Sequence, residues 1–352
     1  MKARYWHFSK DGRIQCDLCP HHCQLAEEQR GLCFVRARQG GEIVLTTYGR
    51  SSGFCVDPIE KKPLSHFLPG TSTLSFGTAG CNLTCKFCQN WHMSKSKRTD
   101  SLSESATPEQ IAQGAQRNHC ASVSYTYNDP VIFLEYAVDT SIACRERGVR
   151  SVAVTAGYID PEPAEKFFSH MDAANVDLKA FSEKFYRKLT GGHLQPVLDV
   201  LQYIKHETSV WLEITTLLIP GENDSEGELQ ALTQWVAEHL GPDVPIHFTA
   251  FHPDWKLNHL PRTPSHTLTR ARNIALQNGL RYPLTGNVHD PQGATTWCHH
   301  CQKPLVERVG WQIRGWHLTD QGACRHCATP CAGIFEGAPG DWGARRHPVR
   351  LS

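Results

Sequence analysis

Three cysteines, Cys81, Cys85 and Cys88, fall within the stretch GCNLTCKFCQN (80–90), and the aromatic Phe87 stands directly before the last of them. Thiolates are soft metal ligands, and four of them saturate a tetrahedral zinc or complete an iron–sulfur cluster. Three leave one cluster iron without a protein ligand, so that iron can bind a substrate. A second set, Cys298, Cys301, Cys324 and Cys327, reads C-x2-C, a 22-residue spacer, then C-x2-C. This is the spacing of a zinc ribbon, in which two knuckles converge on one ion, and it predicts a structural zinc. A rubredoxin-like iron site uses similar spacing, and Cys331, His300 and His326 are spare ligands beside it. The third set is Cys16, Cys19 and Cys23, with Cys33 ten positions further on. It suits a structural metal, zinc ahead of a second cluster, with free thiols as the other reading. His21, His22 or His66 can replace one of its ligands.

The elements that must position these groups are readable as an alternation. Short β-branched runs occur at Thr73–Phe76, 122–127, 151–158, 175–181, 210–219, 245–251 and 280–288. Helix signals fill the gaps. Thr107-Pro108-Glu109-Gln110 is a capping box with proline at the first helical position. Asp129-Pro130 opens an amphipathic stretch that stops at Gly148, and further helices follow Pro161, Ser182, Gln195, Asp224 and Thr267. Alternation of this kind predicts an α/β fold, a full or partial (β/α) barrel of parallel strands. The rival is a flat doubly wound sheet, but cysteines occupy the first strand–helix turn where a glycine-rich dinucleotide fingerprint would sit. The expected organisation is a cysteine-rich extension over residues 1–68, the barrel over 69–292, a zinc-ribbon-like module over 293–336 and a flexible Gly/Pro/Arg tail over 337–352.

Composition narrows the class. The 352 residues include 36 Lys and Arg against 35 Asp and Glu, so nothing calls for a nucleic-acid partner. The locally basic stretches, Lys86–Arg98 and the tail around Arg345, Arg346 and Arg350, read as solvated surface. The polar N-terminus lacks the apolar core of a secretory signal, and no apolar run is long enough to span a bilayer. A cytoplasmic protein with no membrane partner is expected. In that reducing setting fifteen cysteines favour metal sites over disulfides. Cys55, Cys120 and Cys144 stand alone and read as buried, inert thiols.

The motif Cys81-x3-Cys85-x2-Cys88 with Phe87 resembles the signature of radical S-adenosylmethionine (SAM) enzymes. The stretches GRIQCDLCPHHCQL (12–25), Gly31–Arg36, DPIEKKPLSHFLPG (57–70), YTYNDP (125–130) and TLLIPGEND (216–224) are similar to one branch, the AmmeMemoRadiSam-system enzymes. These are related to the pyruvate formate-lyase activating enzymes. The resemblance implies a [4Fe–4S] cluster on the three cysteines, with SAM chelating its open iron. Reductive cleavage would release a 5′-deoxyadenosyl radical that takes a hydrogen atom from substrate. It also implies a low-potential electron donor such as flavodoxin or ferredoxin, and a protein substrate or pathway partner if a glycyl radical is installed.

Relatives usually carry Glu where this chain has Asp129, and a carboxylate there would grip the SAM amino group; capping the next helix is the equal alternative, and one residue can do both. Tyr127 and Asn128 belong to the same motif. Other polar groups at strand ends are Thr155, Gly157, Asp177, Lys179, Glu213, His247 and Asn287, placed where SAM and substrate must lie. The Asp177–Lys179 pair resembles a monovalent-cation aspartate of the activating enzymes, or is a plain ion pair. A reading of another class makes the chain a non-catalytic metal-rich adaptor or electron carrier. It would require a cluster with four protein ligands, and no fourth cysteine stands near Cys88.

Overall fold

A computed structural model describes residues 1–96 and 104–351. Lys97 and Arg98, the end of the first basic stretch, lie outside the described residues. Seven parallel strands form the body: β1 (Ser72–Phe76), β2 (Ser122–Tyr125), β3 (Arg150–Thr155), β4 (Ala173–Asp177), β5 (Trp211–Leu218), β6 (Ile246–Ala250) and β7 (Pro283–Gly286). They pair in sequence order from β1 to β7. That order is the partial barrel, and it excludes the doubly wound rival, whose strand order must reverse.

Six helices make the crossovers: α1 (Pro108–Arg117), α2 (Leu134–Arg145), α3 (Pro161–Phe168), α4 (Gln195–Glu207), α5 (Glu226–His239) and α6 (Ser265–Gln277). The capping box before α1 is formed, Thr107 N–H donating to Gln110 Oε1 at 2.8 Å and Gln110 N–H to Thr107 Oγ1 at 3.3 Å. Helices outside and side chains inside leave the strands almost wholly buried, which is why they read as continuous β-branched runs.

The flanking pieces are fastened to this body. Strand Phe54–Pro58, within the cysteine-rich extension, pairs antiparallel with β1 and so belongs to the same sheet. Ile14, Leu18, Val35 and Ile43 share one core with Leu74 and Phe76. Arg36, 1% exposed, reaches across to α2 and clasps Glu135 in a two-pronged ion pair at 2.8 and 2.9 Å. The C-terminal module is a three-stranded antiparallel sheet with its own small core around Leu305, Val306 and Leu318.

The tail departs from the flexible segment that its composition predicts. Strand His347–Val349 pairs with Phe54–Pro58 and completes the sheet edge. Leu351 is 3% exposed, and Gly340 and Trp342 donate their N–H groups to Pro69 O and Gly70 O at 2.9 and 3.0 Å. Gly70, at φ +78°, lies back to back with Gly340: a Cβ on either residue would run into the backbone of the other. Composition signalled a free tail because Gly, Pro and Arg bury little apolar surface. Backbone pairing and this glycine contact hold it instead.

Candidate functional site

The loop after β1 carries Cys81, Cys85 and Cys88, and it is pinned on several sides. Asn128 Nδ2 donates to Thr78 Oγ1 and Gly80 O at 3.1 and 2.9 Å, while its Oδ1 accepts from Thr78 N at 3.0 Å. Thr84 N and Lys86 N donate to Thr190 O and Leu189 O at 2.7 and 2.8 Å. Gly80 takes φ +82°, and a Cβ there would land on the carbonyl oxygen of Cys33, so the position needs glycine on both counts. All three thiols open onto one cavity of about 590 Å³ at the C-terminal ends of the strands. Burial pushes Cys85 up to about 12 and raises Cys81, with Lys179 and Lys95 opposing, so metal binding there must displace protons.

Sheet register explains the rest of the lining. Asp177, Thr215, His247 and Leu284 are partners in one row across β4 to β7, and all four face the cavity. Phe87, Tyr127, Asn128, Asp129, Thr155, Lys179 and Asn287 line it as well. Asp129 is 5% exposed and accepts from Val131 N at 3.1 Å, capping the turn that leads into α2. It also accepts from Thr155 Oγ1 and Ala156 N, both at 2.9 Å. Burial raises its carboxyl above the usual range, and these donors work against the rise. Three of about four acceptor directions are taken, so one remains. Lys179 Nζ lies 2.6 Å from Asp177 Oδ2, an ion pair; burial works against the lysine's charge, and Asp177 sustains it.

Two expected site residues are elsewhere. Glu213 pairs in register with Asn175, two residues before the Asp177–Thr215 row, and this sinks it beneath the cavity floor. Fully buried, it accepts from Ser65 N (2.9 Å), His66 N (2.7 Å) and Trp211 Nε1 (3.0 Å), and it meets His247 Nε2 at 2.6 Å. Gly157, at φ +64°, turns against Val176, Val197 and Val200 in the core.

Sequence reasoning also missed part of the wall. The 57–70 loop and the C-terminal module contribute Glu60, Lys61, Lys62, Arg308 and Trp311, and the tail adds Arg346. Asp57 gathers the cations: Lys61 and Lys62 Nζ at 2.7 Å each, Arg346 Nε at 3.4 Å, plus Tyr127 OH at 2.9 Å. Burial works against its charge, but the two lysines hold its carboxyl well below the usual range. The segment DPIEKK, which packs four charged residues into six positions, was the available signal.

The outer cysteines divide. Among the described residues, only Cys298, Cys301, Cys324 and Cys327 bring their ligand atoms within 4.8 Å of one another, the geometry of a single-ion site. The hairpin beside them, Pro304–Val309 with Gln312–Trp316, carries Arg308 and Trp311 into the cavity wall. Cys16, Cys19, Cys23 and Cys33 surround a separate small cavity with His21. His22 lies 3.7 Å from Asp160. His66 is not near that set: its ring nitrogens contact Ala332 O at 2.7 Å and Thr296 Oγ1 at 3.0 Å, and burial drops it to about 4.

Comparison with known proteins agrees with this arrangement. The profile of the Radical SAM superfamily matches residues 76–232, from the end of β1 into α5. An uncharacterized protein of Methanocaldococcus jannaschii is 38% identical over 327 residues, 93% of this chain and 97% of its own. The pyruvate formate-lyase-activating enzyme of Clostridium pasteurianum is 25% identical over 174 residues, 47% of this chain and 68% of that one. Among solved structures, a radical SAM methyltransferase from Sphaerobacter thermophilus superposes with TM-score 0.49 and 13% identity, covering 81% of this chain and 76% of that one. Three thiols lie on the loop after the first barrel strand, within the segment that the profile matches, and residues 76–232 are a domain of the Radical SAM superfamily.

Proposed function

We propose that Cys81, Cys85 and Cys88 hold a [4Fe–4S] cluster and that the adjoining cavity binds SAM and substrate. The observation that carries this reading is the set of three thiols, rather than four, on one pinned loop facing a roomy cavity lined by both charged and apolar side chains. When bound, the cluster supplies the electron that cleaves SAM reductively to a 5′-deoxyadenosyl radical, which takes hydrogen from the substrate.

The chain's own residues do the positioning. Asn128 fixes the loop backbone, Asp129 offers its remaining acceptor direction to the SAM amino group, and Lys179 places a positive charge beside Cys85 that offsets the anionic cluster. The surrounding barrel keeps bulk water from a reactive radical. Cys298, Cys301, Cys324 and Cys327 hold a structural zinc, which fixes the hairpin that walls the cavity. A cytoplasmic setting and a flavodoxin- or ferredoxin-like donor complete the reading.

The substrate is a protein segment in the version we favour. Val309 and Trp311, 42% and 36% exposed, form an apolar rim on the cavity that suits a polypeptide. Installation of a glycyl radical on a partner is the corresponding reaction, in line with the pyruvate formate-lyase-activating enzyme among the relatives. The test is anaerobic: reconstitute with iron and sulfide, reduce with dithionite, add SAM and follow 5′-deoxyadenosine by chromatography, with Cys85→Ser as the control. Cluster-dependent 5′-deoxyadenosine supports the reading, and deuterium transfer from candidate proteins then identifies the hydrogen donor. A reduced-cluster signal that SAM leaves unchanged, with no product, overturns it in favour of an electron carrier.

A further inference from the structure

We propose that Cys16, Cys19, Cys23 and Cys33 hold a second iron–sulfur cluster, ligated by four cysteines, that delivers electrons to the cluster site at Cys81, Cys85 and Cys88. Zinc was the favoured occupant on spacing alone, and three structural observations redirect that expectation.

The first is spread. All four cysteines line one enclosed cavity, drawn from the turns around residues 16–23 and 31–33. Among the described residues they do not crowd their sulfurs within 4.8 Å as the C-terminal four do. A single zinc with bonds of about 2.3 Å needs that crowding, whereas a multi-iron cluster holds its thiolates further apart.

The second is charge. Arg36 lines the same cavity, and its two terminal nitrogens are taken by Glu135 and Arg4 O. Its Nε–H, fully buried, has no partner. An unpaired buried donor of a cationic group calls for an anionic acceptor, and the sulfur atoms of a cluster supply one. Backbone donors also reach these sulfurs, as they reach Cys324 in the C-terminal set: Leu32 N lies 3.5 Å from Cys23 Sγ, and backbone N–H groups serve Cys19 and Cys33. Hydrogen bonds to cluster sulfurs stabilise their charge and tune their potential.

The third is position. The carbonyl of Cys33 packs directly on the Cα of Gly80, and His21 Nε2 lies 2.6 Å from Asn82 O. Gly80 and Asn82 flank Cys81, so the two cysteine loops touch on both sides of a ligand. On the outer side, Cys19 and Cys23 are only half buried and Leu32 is 38% exposed, which leaves a face where a donor protein can approach.

The relay is a one-electron transfer. A low-potential donor, a reduced flavodoxin- or ferredoxin-like protein, reduces the N-terminal cluster from its 2+ to its 1+ state. That cluster returns to 2+ as it reduces the cluster on Cys81, Cys85 and Cys88 by one electron. No bond to protein or SAM is made or broken in the transfer. The relay rests on the radical SAM reading above, but the existence of the second cluster does not.

The two are tested separately. In the full-length Cys81→Ala/Cys85→Ala/Cys88→Ala variant, anaerobic reconstitution should still give about four irons and four sulfides per chain. Dithionite should then produce a paramagnetic resonance signal that SAM does not alter. Zinc without sulfide in this variant, or no metal at all in a chain whose circular dichroism matches the parent, overturns the second cluster.

Cys23→Ala/Cys33→Ala in the otherwise native chain tests the relay. With reduced flavodoxin as donor, 5′-deoxyadenosine formation should fall about tenfold or more, and fall less with a small reductant that reaches the inner cluster directly. An equal fall with both donors, or none with flavodoxin, overturns the relay. Should this double variant not fold, flavodoxin oxidation by the triple-alanine protein decides: one electron accepted per chain supports the entry role, and none overturns it. No 5′-deoxyadenosine from the native chain would sink the radical SAM reading while leaving the triple-variant result standing.

Discussion

Replacing Glu60 by glutamine should change how stability depends on pH, and the size follows from the carboxyl's surroundings. Glu60 is 7% exposed; Oε1 accepts from Gly70 N at 2.7 Å, while Oε2 is buried without a partner. Burial pushes the carboxyl from 4.5 up to about 7, with Arg308 pulling the other way. Between those two values the native chain keeps a proton that the unfolded chain has lost. Stability therefore falls as pH rises through the window, by about 1.4 kcal/mol per unit and roughly 3 kcal/mol in total. A glutamine side chain keeps an acceptor for Gly70 and never ionises. E60Q should match the parent near pH 4.5 and exceed it by roughly 3 kcal/mol at about pH 8. For 352 residues that is about 4 °C in Tm. Thermal unfolding of both proteins across the window reads the difference, in which groups common to the two cancel. Parallel curves, or an E60Q protein less stable at high pH, would refute the reasoning and show Glu60 ionised and paired with Arg308.

Three further outcomes follow from contacts described above. Glu213→Ala strands two backbone N–H groups, the Trp211 indole and His247, and should cost about 3–5 kcal/mol, read as a lowered Tm. If E213Q instead melts normally and loses SAM binding, Glu213 belongs to the cofactor site after all. Gly80→Ala drives a Cβ into the Cys33 carbonyl at a backbone angle hostile to alanine, so iron per chain after reconstitution should drop at the Cys81 site; full loading would mean that the loops separate without cost. Replacing Cys298 and Cys301 by serine, which removes ligands of the proposed zinc and leaves Cys81, Cys85 and Cys88 intact, should loosen the 304–316 hairpin to limited proteolysis and weaken SAM-dependent turnover together. Proteolysis without loss of turnover would detach that hairpin from the cavity wall.

The barrel was legible because each strand is buried on both faces and must be written in β-branched and apolar residues. Thr73–Phe76 and 245–251 could hardly be anything else. Helix starts were legible where chemistry is local, as at Thr107-Pro108. The cysteine sets announced themselves by spacing. Depth within the barrel was hidden: Glu213 and Thr215 both point inward on β5, and only the stagger between strands sends the first below the cavity and the second into its wall. Residues brought from far along the chain were equally hidden. Nothing near Arg36 indicates Glu135, and nothing in the tail indicates Phe54–Pro58, because those pairings are made by the finished fold. Two-way functional readings also needed geometry. Asp129 caps the next turn and faces the cavity at once, the combination of roles that the sequence left open.

The contact between Gly70 and Gly340 ties two distant positions into a shared inheritance. A side chain at either one must displace the other's backbone, and the displaced backbone carries the hydrogen bonds that hold the tail. A change at position 70 cannot be rescued by a change at 340, because glycine there has nothing left to give up. Lineages that keep this tail should therefore drift freely around both sites while both glycines stay fixed. A lineage that loses the tail should release position 70 from that constraint, leaving only its left-handed turn to be satisfied, which asparagine can do.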